Sequence, residues 1–155
     1  MSMKEDPPVH GVVVGIDGSD ASREALEWAA READLRELPL EVVTTWEYPI
    51  AYGQYPAWPD DFDFSVNART TLDETIHSVL GERGDRPVSA SVVEGHPALV
   101  LEDLSKTAAL VVVGSRGHGG FAGMLLGSVS EHLAAHAHCP VLIVHGSRGT
   151  STAKQ

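Results

Sequence analysis

Along this chain, short runs of β-branched and aliphatic residues alternate with longer stretches in which apolar positions recur every three or four residues. Residues 11–16 (GVVVGI) form the first run, with the near-continuous apolar character of a strand buried on both faces. Asp17-Gly18-Ser19 follows as a turn, and Ser19 or Asp20 is placed to N-cap a helix. Over 21–38, Ala25, Ala29 and Ala33 step by four with Leu26 and Ala30 beside them, while Arg23, Glu27, Arg31 and Glu32 take the other face. The pattern predicts an amphipathic helix ended by Pro39. Trp28, spaced with the alanines, is assigned to the core or to an interface. Residues 40–46 (LEVVTTW) read as the second strand.

The rhythm breaks over 47–64, where Pro49, Pro56 and Pro59 fall among Tyr48, Tyr52, Tyr55 and Trp58. An irregular aromatic segment of this length reads as a functional loop, a lid or a partner surface. A second helix is predicted over 65–80, with Ala68, Leu72, Ile76 and Val79 on one face and Gly81 and Gly84 as its stop. A third strand over 87–93 leads through Gly95-His96-Pro97 into a shorter helix over 98–107. Residues 110–113 form a fourth strand, 125–137 a last helix and 141–144 a fifth strand. Five apolar strands separated by helices predict an α/β fold: a doubly wound parallel sheet with right-handed crossovers. The domain spans 10–146, between a polar arm at 1–9 that contains Pro7-Pro8 and a Gly/Ser/Thr-rich tail at 147–155.

Charge narrows the function. Eleven Lys and Arg stand against 22 Asp and Glu, a net charge of −11, so the basic footprint needed for nucleic acid or an anionic membrane is missing. No apolar run reaches the ~18 residues of a spanning helix. One cysteine, Cys139, excludes a disulfide framework. With no secretory h-region in MSMKEDPPVH, the expected compartment is the cytoplasm.

Two strand ends are built for a ligand. The first is Gly15-Ile16-Asp17 with the turn that follows it. The second is Val113-Gly114-Ser115-Arg116-Gly117-His118-Gly119-Gly120, continuing to Gly127-Ser128-Val129-Ser130. Open parallel sheets bind ligands at the carboxyl ends of their strands. Glycines at such a place let main-chain N–H groups approach an anion, and Gly127-Ser128 opens a helix whose unpaired amides and dipole favour phosphate. Ser128 and Ser130 add hydroxyl donors, and Arg116 a cation. An acidic protein can thereby hold a polyphosphate.

The spacing Gly114-x2-Gly117-x9-Gly127-Ser128 matches the ATP-binding signature G-2x-G-9x-G-(S/T) of the universal stress protein family. VVVGIDGSDASREALEWAA resembles that family's first strand, aspartate turn and first helix, and LLGSVSEHLAAHAHCPVLIV its last helix and strand. The resemblance covers about residues 10–145. It implies a Rossmann-like sheet of order 3-2-1-4-5 and ATP as the ligand, with magnesium as a companion ion. Carried over by position, it puts Gly15, Ile16 and Asp17 at the adenosine and Thr45 beside the adenine. Gly114, Arg116, Gly117, Gly127, Ser128 and Val129 go to the ribose and phosphates, and Ser130 lies near the terminal phosphates. It also implies a homodimer through strand 141–144, whose open edge would otherwise stay unpaired.

Catalysis is not expected to be fast. No G-x4-G-K-[ST] occurs, and Gly15-Ile-Asp-Gly-Ser-Asp20 replaces the Ser-Gly-Gly-x-Asp-Ser loop of related pyrophosphatase-type synthetases. The expected protein is a nucleotide-dependent stress-response protein with slow or absent hydrolysis. The alternatives are a slow ATPase using Asp17 with a phosphate-bound magnesium, a binder of AMP or a cyclic nucleotide, and a nucleotide-free scaffold acting through 47–64. His132, His136, His138 and Cys139 invite a zinc site, but they fall where the resemblance needs no metal.

Overall fold

A computed structural model describes residues 11–48, 62–81, 87–117 and 123–146. The expected arm and tail, most of the 47–64 segment, Gly84, His118, Gly119 and Gly120 lie outside these residues. In chain order the elements are β1 (Val12–Gly15), α1 (Asp20–Arg36), β2 (Leu40–Trp46), α2 (Phe64–Leu80) and β3 (Val88–Glu94), then α3 (Pro97–Ser105), β4 (Leu110–Gly114), α4 (Ser128–His136) and β5 (Val141–Val144). The strands form one parallel sheet in the order β3-β2-β1-β4-β5.

Both faces of the sheet are covered, which is why its strands are apolar at successive positions rather than at alternate ones. Val12 and Val14 point into a core shared with Ala25, Leu26 and Ala29 of α1 and Leu72 of α2. Val13 points the other way, into a core with Val43, Leu101 of α3, Val111, Val113 and Leu133 of α4. The small residues along the inner stripe of α1 bring that helix close against β1 and β4. Trp28 is not part of this core: it is 44% exposed, with the Arg31 guanidinium 5.4 Å from its ring centroid.

Strands β2 and β5 have the bounds that the hydrophobic pattern predicts, each preceded by a proline. The other elements differ from their predicted bounds by one to three residues at their ends, α3 stopping at Ser105 rather than at 107, and two helix ends show why. Helix α1 stops at Arg36, two residues short of 38, because Glu37 turns left-handed at φ 56° and the Leu38 N–H donates to the Ala33 carbonyl at 2.9 Å. Pro39 acts at one remove, by disfavouring helical geometry at Leu38 before it. Helix α4 begins at Ser128 rather than at 125: Gly127 is extended (φ −76°, ψ 173°), and its N–H donates to the Ser115 carbonyl at 2.6 Å. Leu125, 82% exposed, belongs to no buried face.

Candidate functional site

Strands β1 and β4 are neighbours, paired in parallel from Val12↔Leu110 to Val14↔Val112, so their carboxyl ends leave the sheet side by side. From β1 the chain turns one way to β2, and β4 lies on the other side. This is the switch point at which doubly wound sheets open a crevice. A cavity of about 630 Å³ occupies it, inside the roughly 300–1,000 Å³ range of small-molecule sites.

The end of β1 is held rigidly. The buried Thr44 hydroxyl donates to the Ile16 carbonyl at 2.6 Å, and the Ile16 N–H donates to the Val43 carbonyl at 2.9 Å. One carboxylate oxygen of Asp17, Oδ1, accepts from the Ser19 N–H at 2.9 Å and from its hydroxyl. Ser19 in turn N-caps α1 by accepting from the Ser22 N–H at 3.3 Å. Asp17 therefore shapes the turn, while Ser19 is the cap. Its other oxygen, Oδ2, lies where a Cβ on Gly117 would come within 2.4 Å, so glycine is the residue that lets the two loops close on each other. Gly114 has a comparable reason, since a Cβ there would sit 2.9 Å from the backbone carbon of Ala21.

The second loop leaves β4 through Ser115. The Ser115 N–H donates to the Val144 carbonyl at 2.8 Å, and its carbonyl accepts the Gly127 N–H. Helices α1, α2 and α3 all carry side-chain caps, from Ser19, Asp63 and His96. Helix α4 has no side-chain cap. Its first-turn amides thus keep donor capacity, and its dipole puts about half a positive charge at the cavity wall.

All the predicted site residues within the described segments line the cavity. Gly15, Ile16 and Asp17 come from the end of β1 and Thr45 from β2. Val113, Gly114, Ser115, Arg116 and Gly117 come from the end of β4, and Gly127, Ser128, Val129 and Ser130 from the start of α4. Ser130 is buried, and its hydroxyl lies within donating distance of two main-chain carbonyls, Ser115 at 2.7 Å and Gly127 at 3.1 Å. Ser128, at the same helix end, is exposed.

The wall also includes Ser19, from the turn read as part of the first ligand-built strand end, and Ser22, Val43, Pro97, Leu101, Met124 and Glu131, which the sequence reading did not single out. Val43 shares strand parity with Thr45, a signal that was available. Glu131 stands three residues past the end of the motif at Ser128. Pro97 and Leu101 reach the site only because the β3–α3 crossover lays α3 across β1 and β2, and nothing local announces this. Among the described residues the charged groups of the wall are Arg116, Asp17 and Glu131. Side-chain charge on these described groups is thus net negative, while the positive potential of the wall comes from amides and the helix dipole.

Between α3 and α4, His132 Nε2 lies 3.6 Å from Glu102 Oε2, and the His132 and His136 rings are 4.6 Å apart. No group of three or more His, Cys, Asp or Glu side chains among the described residues is arranged to hold a metal ion. Burial pushes the Cys139 thiol up from its ordinary range, which makes it a poor nucleophile at neutral pH.

Fold and cleft together define a doubly wound parallel α/β domain with a glycine-walled pocket at its switch point. The chain belongs to the universal stress protein family, whose family model matches residues 9–145. It is 40% identical over 146 residues to universal stress protein Rv2623 of Mycobacterium tuberculosis, a match covering 87% of this chain and 47% of that protein. The chain thus spans about half the length of the curated relatives it matches. Among solved structures it is similar to a universal stress protein in complex with cAMP, at TM-score 0.67 and 30% identity over 91% of this chain and 100% of that one. It also shares the fold of the universal stress protein from Archaeoglobus fulgidus in complex with dAMP, at TM-score 0.61 and 23% identity over 86% of this chain and 96% of that one. Among the described residues no helix is long and apolar enough to cross a membrane.

Proposed function

We propose that this chain binds an adenine nucleotide in the switch-point cavity and serves as a nucleotide-dependent stress-response protein without fast catalysis. The observation that carries the reading is the uncapped amino end of α4 facing a cavity whose other walls are the ends of β1 and β4. Phosphate oxygens would take the place of the missing cap, accepting from the amides of Ser128, Val129 and Ser130 with Arg116 alongside. The apolar end, formed by Ile16, Val43, Thr45, Pro97 and Leu101, suits a base.

ATP is the ligand that the G-2x-G-9x-G-(S/T) spacing supports. A magnesium ion would arrive with the phosphates, which supply most of its ligands, and Asp17 and Glu131 are the carboxylates within the cavity wall. The excess of carboxylates over cations in that wall favours a second reading, a cyclic nucleotide with a single negative charge. The relative in complex with cAMP supports the same alternative. Residues 10–146 are proposed as the folded unit and the reducing cytoplasm as its compartment. Two copies are proposed to pair through the edge of β5, whose Val141, Leu142 and Ile143 are only partly covered.

The test is to denature the purified protein, chromatograph any nucleotide released, and titrate nucleotide-free protein with ATP and with cAMP calorimetrically. Wild type should bind at least one of them, and Gly117→Glu should bind neither, since it puts a carboxylate against Asp17 where phosphate belongs. ATP turnover should stay below the ~1 per second of ordinary enzymes. A wild-type protein that binds no adenine nucleotide overturns the reading.

A further inference from the structure

The loop between β4 and α4 leaves and returns through a neck built on the main chain of one residue, Ser115. The Ser115 N–H is bonded to the Val144 carbonyl on β5 at 2.8 Å. The Ser115 carbonyl accepts twice from the start of α4, from the Gly127 N–H at 2.6 Å and from the Ser130 hydroxyl at 2.7 Å. Ser130 is 1% exposed, and the second neighbour of its Oγ is also a carbonyl, Gly127 O at 3.1 Å. A hydroxyl has one proton. With carbonyl acceptors on both sides that proton stays inside the protein, and toward a phosphate oxygen Oγ could present only lone pairs.

We infer that Ser130 is a positioning residue and not a phosphate ligand. It clasps the first turn of α4 to the end of β4, and this holds the Ser128–Ser130 amides in the cavity wall. The inference rests on the nucleotide reading above and deepens it, because the two roles predict different dependence on phosphate number. A ligand for terminal phosphates matters most for ATP and not at all for adenosine. A clasp matters equally for every ligand that uses the amides of α4, whatever its number of phosphates, and it is felt in the empty protein as well.

The experiment combines calorimetric titration of adenosine, AMP and ATP with amide hydrogen exchange of the ligand-free protein, on wild type, Ser130→Ala and Ser130→Thr. Deleting the hydroxyl removes one of the two donors to the buried Ser115 carbonyl. Ser130→Ala should therefore weaken AMP and ATP by the same factor, about tenfold, and leave adenosine unchanged. It should also lower protection of the Gly127 amide in the empty protein. Ser130→Thr keeps the donor and should restore both readouts. A loss that grows from AMP to ATP, or unaltered Gly127 protection in Ser130→Ala, overturns the inference while leaving the nucleotide site standing. Failure of wild type to bind any of the three ligands overturns the nucleotide reading, and this inference with it.

Discussion

At Gly15 and Gly114 the same missing side chain has different physical reasons. A Cβ on Gly114 would meet the backbone of Ala21 at 2.9 Å, and main chain at the start of a helix cannot step aside. A Cβ on Gly15 would meet Leu101 Cδ1 at 2.6 Å, the far end of a side chain that borders open cavity. Gly114→Ala should therefore cost about 1–3 kcal/mol in denaturant titrations, as over-packed sites do. Gly15→Ala should cost less and instead narrow the base end of the pocket, weakening nucleotide more than stability. Equal destabilisation by the two substitutions would argue against this steric assignment. The glycines were legible in the sequence as a spacing. Their distinct partners were not, because Ala21, Leu101 and Asp17 meet them across the fold.

Helix ends show where local chemistry decides and where it does not. Ser19 caps α1 through its own side chain, as its type and place predict, whereas the start of α4 is set by a bond from Gly127 back to Ser115, twelve residues away. Periodicity extended that helix over the apolar Leu125 and Leu126, since no local signal distinguishes an exposed leucine from a buried one. The Asp63 cap of α2 carries a pH dependence. Donation from the Ser65 hydroxyl and amide holds its carboxyl below the usual range, so ionised Asp63 contributes stability above the carboxylate pKa of the unfolded chain. That contribution is lost as pH falls through the folded value. Thermal melts of Asp63→Ala should lie below wild type at neutral pH and converge with it as pH falls below the usual carboxylate range. A gap that persists at the acid end would mean that the side chain acts through packing and not through its charge.

For the molecule as a whole, the alternation of apolar runs and helical stretches was enough to predict a parallel doubly wound sheet, and the family resemblance supplied its order, which the structure bears out. That order places two loops from opposite ends of the chain at one crevice. The pocket's outline was legible for this reason, while the contribution of α3 emerged only in three dimensions. It also leaves β5 at an edge, so light scattering at micromolar concentration should give the mass of two chains. A one-chain mass would leave that edge without its proposed cover. The measurement that bears on the nucleotide proposal itself is an amide correlation spectrum of labelled protein titrated with ATP and with cAMP. Binding through bare main-chain donors should shift Gly114–Gly117 and Gly127–Ser130 together and saturably, with Gly117→Glu unresponsive. Resonances there that stay still while nucleotide is in excess would contradict it.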